Sequence, residues 1–347
     1  EFGRKRRINQ STCNKDYSCV KGFCPSFVTV EGGQLKKPKK DKKGDLSALP
    51  NIPEPVLPVA DVAWGIVVAG VGGTGVITIG SLLGMAAHLE GKGVITQDAA
   101  GLAQKGGATW SHIQIANRPD AIYTTKVDTA KADLVIGCDA IVAANKATLA
   151  VLQPGRTFVA LNTHRTPTAS FVNNPNWQFP DAHCDTAITS ALGEGSVGSF
   201  DAEQVATQLL GDSIYTNPLL LGYAWQKGRV PLTLASLMRA MELNGVQVEN
   251  NKAAFEWGRR CAHDLPAVQA LFQAAQVIQF VKKPALADMI AKRVDFLTGY
   301  QNAAYAADYQ AFVQRVQAAE ARLGTTTRLT EAVARYLFKL MAYKDEY

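Results

Sequence analysis

The sequence predicts an α/β fold: a mostly parallel sheet with helices on both faces, followed by an all-helical segment. Three observations carry this expectation. The stretches Trp64–Ala69, Ala132–Asp139 and Thr157–Leu161 read as buried strands. The segments between them have helical character, and alternation of that kind implies a parallel sheet covered on both sides. From about Asp264 the strand signals vanish, and Ala-, Gln-, Val- and Leu-rich helical periodicity persists to Tyr347.

The first strand is followed by the densest glycine stretch of the chain, Gly70-Val71-Gly72-Gly73-Thr74-Gly75, and then by an apolar helical segment to about Leu89. Gly70, Gly72 and Gly75 satisfy G-x-G-x-x-G, and strand, glycine turn and helix together open a Rossmann-like unit. Glycines permit positive φ and let backbone N–H groups approach an anion at a helix N-terminus. The same residues also serve a tight, close-packed turn with no ligand, so the motif leaves two readings open. Val62–Ala87 carries no charge and is long enough to span a bilayer. Its many Gly and Thr residues and its lack of a Leu/Ile-rich centre argue against insertion, so no membrane partner is expected.

Bulk properties narrow the class. The chain has 347 residues, 19% charged and 47% hydrophobic, a soluble, globular balance with room for two or three domains. The opening Glu1-Phe2-Gly3-Arg4-Lys5-Arg6-Arg7 has no apolar run behind it, so a cytoplasmic protein is expected. The net charge of +6 is concentrated in Arg4–Arg7 and in Lys36, Lys37, Lys39, Lys40, Lys42 and Lys43, leaving the remainder near neutral or slightly acidic. No general nucleic-acid surface follows from that distribution.

In chain order, residues 1–30 form a cysteine-rich segment. Cys13, Cys19 and Cys24, three of the six cysteines, fall at C-x5-C-x4-C spacing with Gly22 and Pro25 beside them. Thiolates so close together suit zinc or an iron–sulfur cluster, and the Cys-Pro ending resembles ferredoxin-type ligation. A fourth ligand is not local, and a disulfide plus a free thiol, or three reduced thiols, is the alternative. Residues 31–60 read as a Lys/Pro-rich linker, with Pro50, Pro53, Pro55 and Pro58 favouring an extended path.

Residues 61–263 read as the α/β domain. Val94–Gln97 is a second strand ending at Asp98, an acid placed where a dinucleotide fold holds a ribose hydroxyl. Asp98–Ala108 is a second glycine-rich loop in which Lys105 stands beside Gly106 and Gly107, able to meet a phosphate or to lie in solvent. Thr109–Ala116 alternates, with His112 opposite Ile113 and Ile115. Ala140–Leu152 reads as one helix, Asp201–Leu210 as another, and further helices cover Asn217–Trp225, Leu232–Leu243 and Asn250–Ala262. Glu256, Arg259 and Arg260 read as solvent-facing charges. Ligands of such sheets sit at the carboxyl ends of the strands, so Gly70–Gly75, Asp98–Gly107 and Cys138-Asp139 should converge, with His164 and Arg165 near the same rim. In residues 264–347 an apolar stripe of Ala304, Ala307, Phe312, Val316, Ala319 and Leu323 is expected, with Tyr300, Tyr305, Tyr309, Tyr336 and Phe338 as aromatic anchors.

The run Asn9–Gly33 around the three cysteines resembles the segment that follows the thiamine-diphosphate domain in indolepyruvate:ferredoxin oxidoreductases. Gly70–Val76 with Gly101–Ala108 resembles the gamma domain of the 2-oxoacid:ferredoxin oxidoreductases, and Leu329–Met341 resembles the helical region behind that domain in the long, fused members. The resemblance covers essentially the whole chain. It implies part of an enzyme that oxidatively decarboxylates aryl 2-oxoacids to acyl-coenzyme A, with ferredoxin as electron acceptor. Cys13, Cys19 and Cys24 would be three ligands of a [4Fe–4S] cluster. Gly70, Gly72, Gly73, Thr74, Gly75, Lys105, Gly106 and Gly107 would bind coenzyme A, or else the domain would serve as a subunit contact. Thiamine diphosphate would belong to the remainder of the parent enzyme, upstream of Glu1, and not to this chain, which alone would be inactive and whose own catalytic residues the sequence leaves unassigned. The full enzyme would be a homo-oligomer. Thr74 departs from the family pattern, in which glutamine often follows the paired glycines. Two alternatives stand beside this reading: an NAD-dependent Rossmann dehydrogenase, favoured by Asp98 but lacking a catalytic dyad, and a non-enzymatic scaffold domain.

Overall fold

The computed structural model describes residues 46, 49–99, 107–166, 174, 178–193, 195–273, 285–324 and 326–342. The chain divides into two compact units between Gln276 and Val277.

The first unit is built on a six-stranded sheet: β1 (Trp64–Val71), β2 (Gly93–Ala99), β3 (Ala108–Ala116), β4 (Leu134–Gly137), β5 (Phe158–Asn162) and β6 (Val197–Phe200). Their order in space is β2-β3-β1-β4-β5-β6. β1, β4, β5 and β6 run parallel, whereas β3 is antiparallel to both β1 and β2. The helices are α1 (Val76–Leu89), α2 (Ala140–Ala143), α3 (Lys146–Leu149), α4 (Asp181–Leu192), α5 (Ala202–Leu210), α6 (Thr216–Gln226), α7 (Leu234–Asn244), α8 (Val248–His263) and α9 (Leu265–Gln273).

Both faces of the sheet are covered, as expected. Ile66 and Val68 of β1 enter one core with Ile79, Leu83, Trp225 and Phe255, while Val67 between them enters a second with Val159, Cys184 and Ile188. That division is the period-2 alternation of a strand buried on both sides. Helix α6 is buried from Thr216 to Trp225, so it behaves as a core element. It packs on α8 at glycine contacts: a Cβ on Gly222 would land on the Phe255 carbonyl, and one on Gly258 on the Leu219 carbonyl.

Several expectations are corrected. β3 separates β2 from β1, so Asp98 lies one strand away from the position a dinucleotide fold requires. The segment 140–152 forms two short helices, because the Asn145 side chain accepts from Ala147 N and starts a new turn. α4 and β6 carried too little periodicity to be read. Residues 50–60 lie along the unit, with Gln226 donating to the Pro53 carbonyl at 2.8 Å, Arg260 to the Pro50 carbonyl at 3.0 Å and Asn117 N to the Ala60 carbonyl at 2.7 Å. Arg259 is buried, pairs with Glu256 at 2.7 Å and lies 5.0 Å over the Trp225 ring.

The second unit contains α10 (Leu286–Tyr300), α11 (Ala303–Ala321) and α12 (Arg328–Met341). Its core is Leu297, Ala306, Tyr309, Val313, Ala334 and Phe338. The expected stripe is therefore out of register: Ala304, Ala307, Phe312, Ala319 and Leu323 are exposed, and Val316 is half-buried. Alanines on every face of α11 blur its periodicity, and Tyr309, whose hydroxyl donates to the Ala334 carbonyl at 2.8 Å, sets the buried seam. Of the expected anchors, Tyr309 and Phe338 are buried, whereas Tyr300 and Tyr336 are exposed.

Candidate functional site

The glycine stretch turns β1 into α1. Gly73 (φ 85°) and Gly75 (φ 92°) occupy the left-handed region that side chains resist, so both are needed for the turn itself. Gly70 has a different task. A Cβ there would stand 2.7 Å from Val76 Cγ2 and 2.9 Å from Cys138 Cβ, so its missing side chain permits β1, α1 and the end of β4 to meet. The Gly72 N–H donates to the Gly107 carbonyl at 2.8 Å, which ties the two glycine-rich stretches together. Thr74 turns inward on the loop: its hydroxyl donates to the Val71 carbonyl at 2.7 Å.

What remains open is the N-terminus of α1. Gly75 caps it without a side chain, no acidic residue stands in its first turn, and the Thr78 hydroxyl makes no hydrogen bond among the described residues. The first-turn N–H groups of a helix have no intrahelical partner and carry the positive end of the helix dipole. This end borders a cavity of about 370 Å³, lined by Gly73, Thr74, Gly75 and Thr78.

Asp139, Asn162 and Glu203, all near the carboxyl ends of parallel strands, also line the cavity. Asp139 caps α2 by accepting from Val142 N at 2.9 Å; burial lifts its carboxyl above the usual range while the Val142 and Ile141 N–H groups oppose that. Asn162 donates to the Cys138 carbonyl at 3.1 Å and accepts from Ala202 N at 3.0 Å, joining the ends of β4 and β5 to α5. His164 stands between two acids, with Nδ1 3.2 Å from Asp201 and Nε2 3.3 Å from Glu203. Burial lifts Glu203; the same penalty acts on Asp201, but hydrogen bonds from His164 and Gln204 N hold it below the usual range. Much of the remaining lining comes from residues 213–218 and 244–251, including Tyr215, Asn217, Asn244, Val246 and Asn251, with apolar side chains of α1 such as Ile79 and Leu82 behind it.

Of the residues the sequence singled out, Gly70–Gly75, Gly107, Cys138 and Asp139 come together at this rim. Lys105 and Gly106 lie outside the described residues, as do Cys13, Cys19 and Cys24. The described cysteines, Cys138, Cys184 and Cys261, are buried thiols; burial lifts Cys138 strongly and pushes Cys261 up to about 12, which suits packing better than reactivity. Arg165 pairs with Asp181 at 2.7 Å. His112 is half-buried on β3, and burial with nearby Lys126 lowers its pKa. Sequence reasoning missed Asn217, Asn244 and Asn251. Each sits near a helix end more than 140 residues beyond the glycine loop, and no local pattern links them to it.

Comparison with known proteins follows the same division. Residues 65–261 match the family described as pyruvate ferredoxin/flavodoxin oxidoreductase, and residues 286–347 match a family of unknown function (DUF6537). The chain is 27% identical to the indolepyruvate oxidoreductase subunit IorB of Pyrococcus horikoshii, over 58% of this chain and 97% of that one. It is 30% identical to the subunit of the same name from Methanothermobacter thermautotrophicus, over 52% of this chain and 87% of that one. The solved structure of pyruvate oxidoreductase subunit PORC from Thermotoga maritima aligns over 57% of this chain and 96% of that one, at 18% identity and a TM-score of 0.41. Among the described residues no helix is long and apolar enough to cross a membrane.

Proposed function

Since the chain belongs to the pyruvate ferredoxin/flavodoxin oxidoreductase family, we propose that it supplies the gamma-type part of an enzyme that oxidatively decarboxylates aryl 2-oxoacids, indolepyruvate-like, to acyl-coenzyme A with ferredoxin as acceptor. The two indolepyruvate oxidoreductase subunits it resembles support the aryl substrate class. Decarboxylation on thiamine diphosphate falls to the rest of that enzyme. This chain's share is to hold coenzyme A by its phosphates at the α1 N-terminus, and to provide Cys13, Cys19 and Cys24 as three ligands of a [4Fe–4S] cluster.

One observation carries the coenzyme A assignment: α1 begins at Gly75 with no side-chain cap and no acid in its first turn, beside a cavity. An anion there gains unpaired N–H donors and the helix dipole together. The dehydrogenase alternative loses its main support, because β3 stands between Asp98 and β1.

Calorimetry of the full chain with coenzyme A tests the assignment. Saturable binding is expected. Thr78→Glu places a carboxylate in the first turn of α1, which favours the helix but repels a phosphate. It should weaken binding at least tenfold without lowering the unfolding temperature; absence of binding to the parent chain ends the coenzyme A role. For the cluster, anaerobically purified protein should lose iron in Cys19→Ser, and retained iron would exclude Cys19 as a ligand.

A further inference from the structure

β2 is the outermost strand on one side of the sheet, and its far edge pairs with nothing among the described residues. From Gly93 to Gln97 it carries no charge and no proline. Strands at a sheet edge are normally guarded against further pairing by lysine, proline or a bulge. β2 has none of these over that span, and its register with β3 runs unbroken from Gly93 to Ala99. Free backbone N–H and C=O groups along such an edge favour the addition of another strand.

The helix above the edge is equally unguarded. α1 crosses β2 where a Cβ on Gly84 would stand 3.2 Å from Thr96 Cγ2, and crosses β3 where one on Gly80 would meet Ser111 Oγ. Continuing around the helix past Gly84, the side chains on the β2 side are Ile77, His88, Ser81 and Met85. All four are exposed, Ile77 by 40% and Met85 by 41%, and none is Asp, Glu, Lys or Arg. Edge and helix together present one continuous strip.

We propose that this strip receives a second copy of the chain, the two β2 strands pairing antiparallel about a two-fold axis perpendicular to the sheet. Such an axis keeps each sheet face on its own side, so both α1 helices lie on one face and their Ile77–Met85 stripes meet across the seam. Side chains alternate between faces, so the axis must pass beside a residue that faces its own copy. With Ile95 at the axis, Val94 opposes Thr96 and Lys92 opposes Asp98 at both ends. That end pair is complementary in charge. The Asp98 carboxylate has no partner among the described residues. The Lys92 ammonium bonds to Glu90 and to the Pro231 carbonyl, and its third N–H is left for an acceptor. The two Asp98 side chains stand about 20 Å apart along the strand, too far to repel strongly. Nothing in this pairing depends on coenzyme A.

Light scattering of the full chain between about 1 and 100 µM tests the pairing, and a dimer is expected at the upper end. Thr96→Lys puts a positive charge at an exposed edge position of each copy, and Met85→Glu a negative one on each helix. Either should weaken the dimer at least tenfold and leave the unfolding temperature of the dilute chain unchanged. Ile95→Cys should yield a disulfide between the two copies of residue 95, mapped by mass spectrometry, since directly opposed Cα atoms stand about 4.5–5.5 Å apart. Absence of that link would overturn the pairing about Ile95. A dimer that survives both charged variants, or a chain monomeric throughout, would overturn the interface. In such a monomer, amide protection at every β2 residue rather than at alternate ones would assign the edge to another segment of the chain.

Discussion

Asn217 donates from Nδ2 to the Thr74 carbonyl at 2.9 Å, so the first turn of α6 holds the glycine loop in place across 143 positions of sequence. Asn217→Ala leaves that carbonyl to find another donor and should cost about 1–2 kcal/mol. For a unit of this size that corresponds to roughly 2–8 °C in unfolding temperature. Coenzyme A affinity should fall with it. A thermal melt paired with calorimetry would show both effects, and an unchanged melt would mean the contact is energetically idle.

Asp133 organises the opposite end of the sheet. It is buried, accepts from Gly65 N at 2.8 Å, and is held by Arg156 Nε at 2.7 Å and Nη2 at 2.8 Å. Because the Arg156 side chain is 34% exposed, the pair is partly screened, and most of the loss on Asp133→Ala should come from its charged hydrogen bonds. About 2–3 kcal/mol is expected in denaturant unfolding. Arg156→Ala should cost more than a surface substitution, since it strands the buried carboxylate.

The α6–α8 crossing makes a sharper demand on side-chain size. Gly258→Ala would drive a methyl group into the Leu219 carbonyl, and helices this close have no soft side chain to yield. A loss of about 3 kcal/mol or more is expected, enough to lower soluble yield. Gly299→Ala is the matched control: it lies in α10, nothing stands within 4 Å of the added Cβ, and the helix should gain about 0.5–1 kcal/mol. Chemical denaturation of both variants reads the contrast.

Glu320 links pH to the helical unit. A hydrogen bond from the Thr330 hydroxyl, with N–H bonds from Thr330 and Leu329 at 2.7 Å each, holds its carboxyl below the ordinary range despite burial. A folded pKa below the unfolded one adds stability at pH values above the ordinary Glu value of about 4.3. That stability is lost as pH falls through the folded value. Amide protection at the start of α12, measured against the intrinsic exchange rate at each pH, should therefore fall below about pH 4, and Glu320→Gln should flatten the dependence. Identical profiles for the two proteins would exclude the carboxylate as the cause.

Much of the first unit was legible because its signals are local. Apolar runs marked β1, β4 and β5, and the glycines marked the turn before α1. The α11 stripe failed because alanine offers no contrast between faces, so Tyr309 and Val313, not Phe312 and Leu323, decide the seam. Arg259 was misread for a related reason: charge suggests solvent, but a neighbouring Glu256 and the Trp225 ring make burial affordable.

By itself the sequence determined the α/β class, the strand–glycine turn–helix opening, the helical character of the final segment and the family resemblance. These follow from patterns a few residues long, in which each side chain states its own preference for burial or turn. Only the tertiary structure decided that β3 stands between β1 and β2, that Asn217 anchors Thr74, and that residues near 139, 203, 217 and 246 line one cavity. Those facts depend on which buried faces and strand edges find each other between elements separated in the chain, and packing between such elements leaves no periodic trace in it.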